Sequence, residues 1–363
     1  YGFKSGCFVR VLHSRSSRVC ANIACTEGTC TVCGAGCPTA SFRCWRSFCD
    51  MRCEVLRYNT TSNQPQGAPL ALNVIVYQYG KVASTSLVAT FNKMRGVSAQ
   101  QCHFFGQDAF RQTVTRLCNP DTNDYFFKHS LGQLNENLKA YRRYHQKDRA
   151  PEDRCIILTV AREPFDWFRS SLVQEIEGHI PALTLSLRDR DVATMDLTQI
   201  ITEGLALLID RIQGALGTVE GGIDALVPAK RRELDQHLAF TDTEDFEAFL
   251  FLLSRFLQPH LWFKTQFSPE LGVGIADMSD VGQSLLKAQA NTGDVYLARY
   301  EALEDAFARL LVLENLPTQK LARVNEGQHK LFSAEITAAF DTDAANQLKA
   351  KSDSELTRLL GYT

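Results

Sequence analysis

Two polar clusters in this 363-residue chain carry the residue types that hold phosphate groups. The first is Gly80-Lys-Val-Ala-Ser-Thr-Ser86, where Lys81 brings a point charge and Ser84, Thr85 and Ser86 bring hydroxyl donors. A helix starting at this loop adds backbone N–H groups, those of Val82 and Ala83 among them, that carry partial positive charge. Capping a helix needs one Ser or Thr; three in a row beside a lysine exceed that need. The second cluster is Arg162-Glu-Pro-Phe-Asp-Trp-Phe-Arg-Ser-Ser171. Its Arg162 guanidinium and the Ser170 hydroxyl, eight residues on, make a second clamp. The plainer reading of this cluster is Arg162 paired with Glu163 or Asp166 on a solvated turn. Neither cluster is a triphosphatase P-loop, G-x-x-x-x-G-K-[ST], because the earlier glycine is missing and Val82 follows the lysine. The magnesium-binding hydroxyl therefore has no counterpart, and no metal site is expected. Two anion clamps without that signature suit a nucleotide phosphorylated at both ends. A third group, Lys128-His-Ser130, offers His129 as a base near neutral pH, with Glu175, Glu177 and His179 as its rivals.

The elements that must position these groups read as strand and helix in alternation. Leu72 to Tyr79 is a β-rich run suited to a buried parallel strand, followed by a helix with Leu87, Phe91 and Met94 in phase. Tyr125 to Lys128 reads as a second strand, then a helix from about Gln133 with Leu134, Leu138 and Tyr141 on one face. Cys155 to Ala161 is a third, turning at Arg162-Glu-Pro164 into helix near Asp166, where the proline suits the first turn. Val295 to Ala298 is a fourth, before a helix with Leu303, Phe307 and Leu310. Such alternation implies an α/β fold, a parallel sheet flanked by helices, with ligands beyond the carboxyl ends of the strands. Both clamps and His129 fall at those ends on this reading. Residues 180–245 read as a long helical insertion, and the aromatics Phe246, Phe249, Phe251 and Phe256 after it read mostly as core. His260, Trp262, Lys264 and Gln266 offer groups that can stack on and hydrogen-bond a sugar.

Tyr77 to Ser86 resembles the 5′-phosphosulfate loop of sulfotransferases that use 3′-phosphoadenosine 5′-phosphosulfate (PAPS), and Arg162 through Ser170 resembles their 3′-phosphate motif. Leu297-Ala-Arg-Tyr-Glu-Ala-Leu303 is similar to the "RYEDL" stretch late in that domain. His129 with Trp262-Phe263 looks like the bacterial capsular-polysaccharide-synthesis branch of the superfamily. The resemblance spans roughly Leu70 to Leu316 in motif order. It implies a P-loop-like fold in which Lys81, Ser84, Thr85 and Ser86 hold the 5′-phosphosulfate and Arg162 and Ser170 the 3′-phosphate. It also implies His129 as the base and PAPS as co-substrate, with a glycan hydroxyl as first choice of acceptor. The chain departs from the cytosolic members in carrying Val-Ala where they have Ser-Gly, and in lacking their late R-K-G motif. Asn325 to Lys330 holds a comparable late position, from which it can close over the nucleotide. The rival readings are a nucleotide-dependent kinase on the same architecture and a non-catalytic glycan-binding protein.

Composition bounds these readings. With 39 Lys+Arg against 41 Asp+Glu there is no global basic field, so a nucleic-acid partner is not expected. No apolar run reaches the length of a membrane span. The chain starts at Tyr1 rather than Met, which leaves room for a signal or anchor segment ahead of it. Nine of the 12 cysteines lie within the first 53 residues, a segment too poor in periodic hydrophobics to fold without staples. Structural zinc sites usually pair two C-x2-C or C/H knuckles, and only Cys30 and Cys33 have C-x2-C spacing, so disulfides are expected over zinc. Residues 1–58 thus form a cysteine-rich region, 59–69 a linker with the sequon Asn59-Thr-Thr61, and 70–363 the α/β domain. Cysteines and sequon together point to the secretory pathway, the Golgi lumen or the exterior, with a bacterial source left open.

Overall fold

The computed structural model describes residues 72–118, 124–146, 153–226, 240, 242–290, 292–322 and 330–362. The cysteine-rich region, the linker with its sequon, and residues 325–329 of the late segment lie outside the described residues.

A six-stranded sheet in the order β2-β1-β3-β6-β5-β4 organises the domain. Its strands are β1 (Leu72–Tyr77), β2 (Val97–Cys102), β3 (Arg154–Ala161), β4 (Ser279–Asp280), β5 (Leu285–Ala290) and β6 (Gly293–Arg299). The first four in spatial order run parallel, and β5 and β4 are added antiparallel. The central strands Leu-Asn-Val-Ile-Val-Tyr and Cys-Ile-Ile-Leu-Thr-Val are rich in β-branched residues and buried, as strands covered on both faces must be.

Helix α1 (Ser84–Phe91) follows β1 and buries Leu87 and Phe91. It packs on β2, as does α3 (Asp124–Tyr144), which α2 (Gln107–Leu117) precedes. Helix α4 (Pro164–Ser186) follows β3, with Pro164 in its first turn and the Glu163 carboxylate accepting from the Phe165 and Asp166 N–H groups. The expected insertion is helical where described: α5 (Leu197–Thr218), opened by an Asp196/Gln199 capping box, and the short α6 (Gly222–Leu226). Helix α7 (Thr243–Phe256) then packs against α4 and buries Phe246, Phe249 and Phe256, while Phe251 is half exposed. The chain continues through α8 (Gln258–Trp262) and a π-helical turn, Phe263–Phe267. After β6, α10 (Leu303–Leu313) packs back on it; α9 (Ser268–Leu271) lies between. Three C-terminal helices complete the domain: α11 (Ser333–Phe340), α12 (Asp343–Lys351) and α13 (Glu355–Leu359).

One expected strand is wrong. Tyr125 to Lys128 belongs to the first turns of the 21-residue α3. Leu134, Asn137, Ala140 and Tyr144 are its buried stripe, and once this face is packed each further residue joins the helix for one added hydrogen bond. That cooperativity outweighs the β preference of three aromatics. The strand that flanks β1 on its outer side, opposite β3, is instead β2, Val-Ser-Ala-Gln-Gln-Cys, an edge strand whose polar residues give no hydrophobic signal.

Candidate functional site

The carboxyl ends of β1, β2, β3 and β6 open on one cavity of about 1290 Å³. Because the connection leaving β1 runs to β2 on one side and that leaving β3 runs toward the β4–β6 side, a crevice forms at the switch point between the ends of β1 and β3. The loop after β1 and the turn after β3 both lie there. Residues from Gly80 to Ser86 line the cavity, and so do Arg162 and Ser170. All eight residues assigned to the two anion clamps therefore border a single space. Strands β1 and β3 are adjacent, which places their ends about 5 Å apart.

The loop has unusual backbone. Gly80, Lys81 and Ala83 have positive φ of 99°, 58° and 59°. Two non-glycine residues held in this region within three positions cost of order 1–3 kcal/mol each, and surrounding contacts must over-determine them. Those contacts are present. Gly80 N–H donates to Gln78 Oε1, the Trp167 indole donates to Gly80 O at 2.7 Å, and Val82 is sunk in the core. Such sign changes turn successive N–H groups toward a common centre, an anion-binding concavity. The residue at the helix cap is Ala83, which has no side chain to cap with. Ser84, Thr85 and Ser86 instead fill the first helical turn. Ser84 Oγ accepts from Gln101 Nε2 at 2.8 Å, and the Thr85 side chain is exposed.

Arg162 is held from two sides. Its N–H donates to the Tyr79 hydroxyl at 3.0 Å, and its guanidinium lies 4.5 Å from the centre of the Tyr300 ring. Tyr300 belongs to the Leu297–Leu303 stretch, and its neighbour Glu301 explains more of that motif. Glu301 Oε1 accepts from Glu163 N at 3.1 Å, and Oε2 accepts from the Tyr362 hydroxyl at 2.7 Å. The end of β6 and the C-terminal residues together fix the turn that carries Arg162. The plainer pairing of this arginine with Glu163 or Asp166 does not describe the site, since those carboxylates pair with Lys349 of α12.

Lys81 Nζ lies 3.0 Å from Glu175 Oε1, and Arg255 pairs with the other carboxylate oxygen. Burial pulls the Lys81 pKa down to about 8, helped by the like charges of Lys330 and Arg255. Lys330, at the end of the late segment, is thus near enough to act on the loop.

The remaining expected site residues divide. His129 lies within α3, so it does not stand at a strand end, and its side chain is outside the described residues. The histidine that does follow a strand is His103, after β2. It lines the cavity, with its N–H bonded to Asn137 Oδ1 at 2.7 Å and its carbonyl accepting from the Trp262 indole at 3.1 Å. Gln78 Nε2 approaches its ring nitrogens at 3.3 and 3.4 Å. Among the rival bases Glu175 borders the cavity; His179 is buried beside Phe251, and burial lowers its pKa to about 4. Trp262 and Gln266 line the cavity, whereas His260 is buried and does not. His103 and Arg255 went unnoticed in the sequence. The first follows a polar strand, and the second meets Lys81 only through packing of α7 on α4.

Neither a known protein family, a curated protein nor a solved structure matches this chain. The cavity must be read from its own chemistry.

Proposed function

We propose that this protein is a PAPS-dependent sulfotransferase that moves the sulfuryl group to an acceptor hydroxyl, in first place one on a glycan. The observation that carries the reading is the single cavity joining the Lys81 loop to Arg162 and Ser170. A molecule with anionic groups at both ends of an adenosine fits two cationic seats set on neighbouring strand ends, and about 1290 Å³ exceeds the usual few-hundred to 1,000 Å³ of one small-molecule pocket. The excess leaves space for part of an acceptor, against Trp262 and Gln266. In this reading the P-loop-like segment 80–86 binds the 5′-phosphosulfate, and Arg162 with Ser170 binds the 3′-phosphate.

The acceptor oxygen attacks sulfur as the bond from sulfur to the 5′-phosphate oxygen breaks, giving a sulfate ester and 3′-phosphoadenosine 5′-phosphate. Lys81 and the loop N–H groups neutralise the charge that grows on the departing oxygen, a preorganised contribution of several kcal/mol in a water-poor site. A histidine takes the acceptor's proton. The disulfide-stapled 1–58 region and a secretory location, Golgi lumen or exterior, belong to the same proposal and rest on the cysteines and the sequon.

Calorimetric titration with 3′-phosphoadenosine 5′-phosphate, beside ATP with magnesium, tests it. Metal-independent binding of the bisphosphate at micromolar or lower concentration is the expected result. Preference for the magnesium–ATP complex would replace this reading with phosphoryl transfer.

A further inference from the structure

A carboxylate already sits where an anion belongs. Glu175 bridges Lys81 at 3.0 Å and Arg255 through its second oxygen, and all three side chains line the cavity. They come from three separate elements: the loop after β1, α4 and the last turn of α7. Glu175 also stands where α4 leaves helical geometry, at φ −126° and ψ 18°, so the kink delivers its carboxylate to the two cations. Lys81 and Arg255 are mostly withdrawn from water, with side chains 16% and 26% exposed. Two cations so placed need a counter-charge when no ligand is present. A phosphate group, with more charge and more acceptor oxygens than a single carboxylate, is the stronger partner for both. Gln258 Oε1 accepts from Arg255 Nη1 at 2.7 Å, which holds the guanidinium in place independently of Glu175.

Building on the donor reading above, we propose that Glu175 is a stand-in anion which the 5′ end of the nucleotide displaces, and that Arg255 then becomes a third cation of the site beside Lys81 and Arg162. Arg255 is thereby an anion-binding residue, and Glu175 sets how tightly the empty site competes with its ligand.

The test is titration of 3′-phosphoadenosine 5′-phosphate, and separately of inorganic pyrophosphate, into the full chain and its Glu175→Gln, Arg255→Met and doubly substituted forms, each checked by thermal melting. Removing the competing charge in Glu175→Gln is expected to tighten binding about tenfold, and Arg255→Met to weaken it about tenfold. In the double variant the gain from Glu175→Gln shrinks, because one of the two cations it frees is gone. Unchanged or weaker binding in a folded Glu175→Gln form would overturn the proposal and leave Glu175 as a brace for the helix kink. Unchanged affinity in Arg255→Met would overturn it as well, whatever the stability of the other variants. Failure of the bisphosphate to bind the unaltered chain counts against the donor reading alone, and the pyrophosphate titrations then still decide the exchange.

Discussion

At the scale of single residues, Lys81 governs the proposed site. With its pKa drawn down to about 8 in the unliganded protein, it carries a full charge below neutrality and loses it as pH rises through 8. The charges facing it are those of Glu175, Arg255 and Lys330. Affinity for 3′-phosphoadenosine 5′-phosphate is therefore expected to be flat below about pH 7 and to fall by up to about tenfold per pH unit above 8. Lys81→Met should weaken binding, abolish transfer and remove that pH dependence. Calorimetry across pH 6–9.5 checks this; an unchanged slope in the variant assigns the titration elsewhere. The base is settled by a second pair of substitutions. His103 faces the cavity and His129 is carried by α3, so alanine is placed at each in turn. The base is the one whose loss lowers kcat by about 100-fold or more while nucleotide affinity stays nearly constant.

At the scale of elements, the Arg162 turn depends on contacts far away in sequence. Tyr300→Leu removes the ring under the guanidinium, worth about 0.5–1 kcal/mol, and should raise the bisphosphate dissociation constant two- to fivefold with little change in melting temperature. Glu301→Ala strips acceptors from both Glu163 N–H and the Tyr362 hydroxyl. It should therefore lower stability by about 1–3 kcal/mol as well as affinity. Urea denaturation followed beside calorimetry separates the two effects; loss of affinity without loss of stability would contradict the bracing role. The helical insertion has its own anchor. Arg211 of α5 makes two bonds, 2.5 and 2.7 Å, to the carboxylate of Asp245, which is buried at the start of α7. Arg211→Met removes both of these bonds from the buried carboxylate and is expected to cost about 1.5–3 kcal/mol, read by the same denaturation.

At the scale of the molecule, four parallel strand ends and a kinked helix converge on one space, and the C-terminal Tyr362 braces its Arg162 turn through Glu301, so ligand binding should stabilise the whole domain. At 100 times the dissociation constant the bisphosphate is expected to contribute about 2.7 kcal/mol, seen as a rise in melting temperature. Since the site draws on paired charges near the surface, the rise should shrink as salt goes from 50 to 500 mM. A salt-independent shift would point to binding through the apolar wall around Trp262 instead.

The sequence by itself determined the local chemistry. Buried strands β1, β3 and β6 are legible as short runs of β-branched and aromatic residues, α1 and α10 as apolar residues in helical phase, and the start of α4 from Pro164 in the turn after β3. Gly80–Ser86 and Arg162–Ser170 stand out because each gathers its polar groups within a few positions of the chain. What joins them was decided only in three dimensions. The order β1-β3-β6 makes neighbours of strand ends separated by about eighty residues or more, and no local pattern encodes that order. The polar edge strand β2 gains its place from hydrogen bonds to β1 rather than from hydrophobic pattern, so His103 was hidden with it. Residues 125–128 went the other way: their aromatic content favours a strand locally, but cooperative extension of α3 over its packed face claims them. Glu175 and Arg255, eighty positions apart, meet because α7 packs along α4, and long-range packing of that kind leaves no trace in residue spacing.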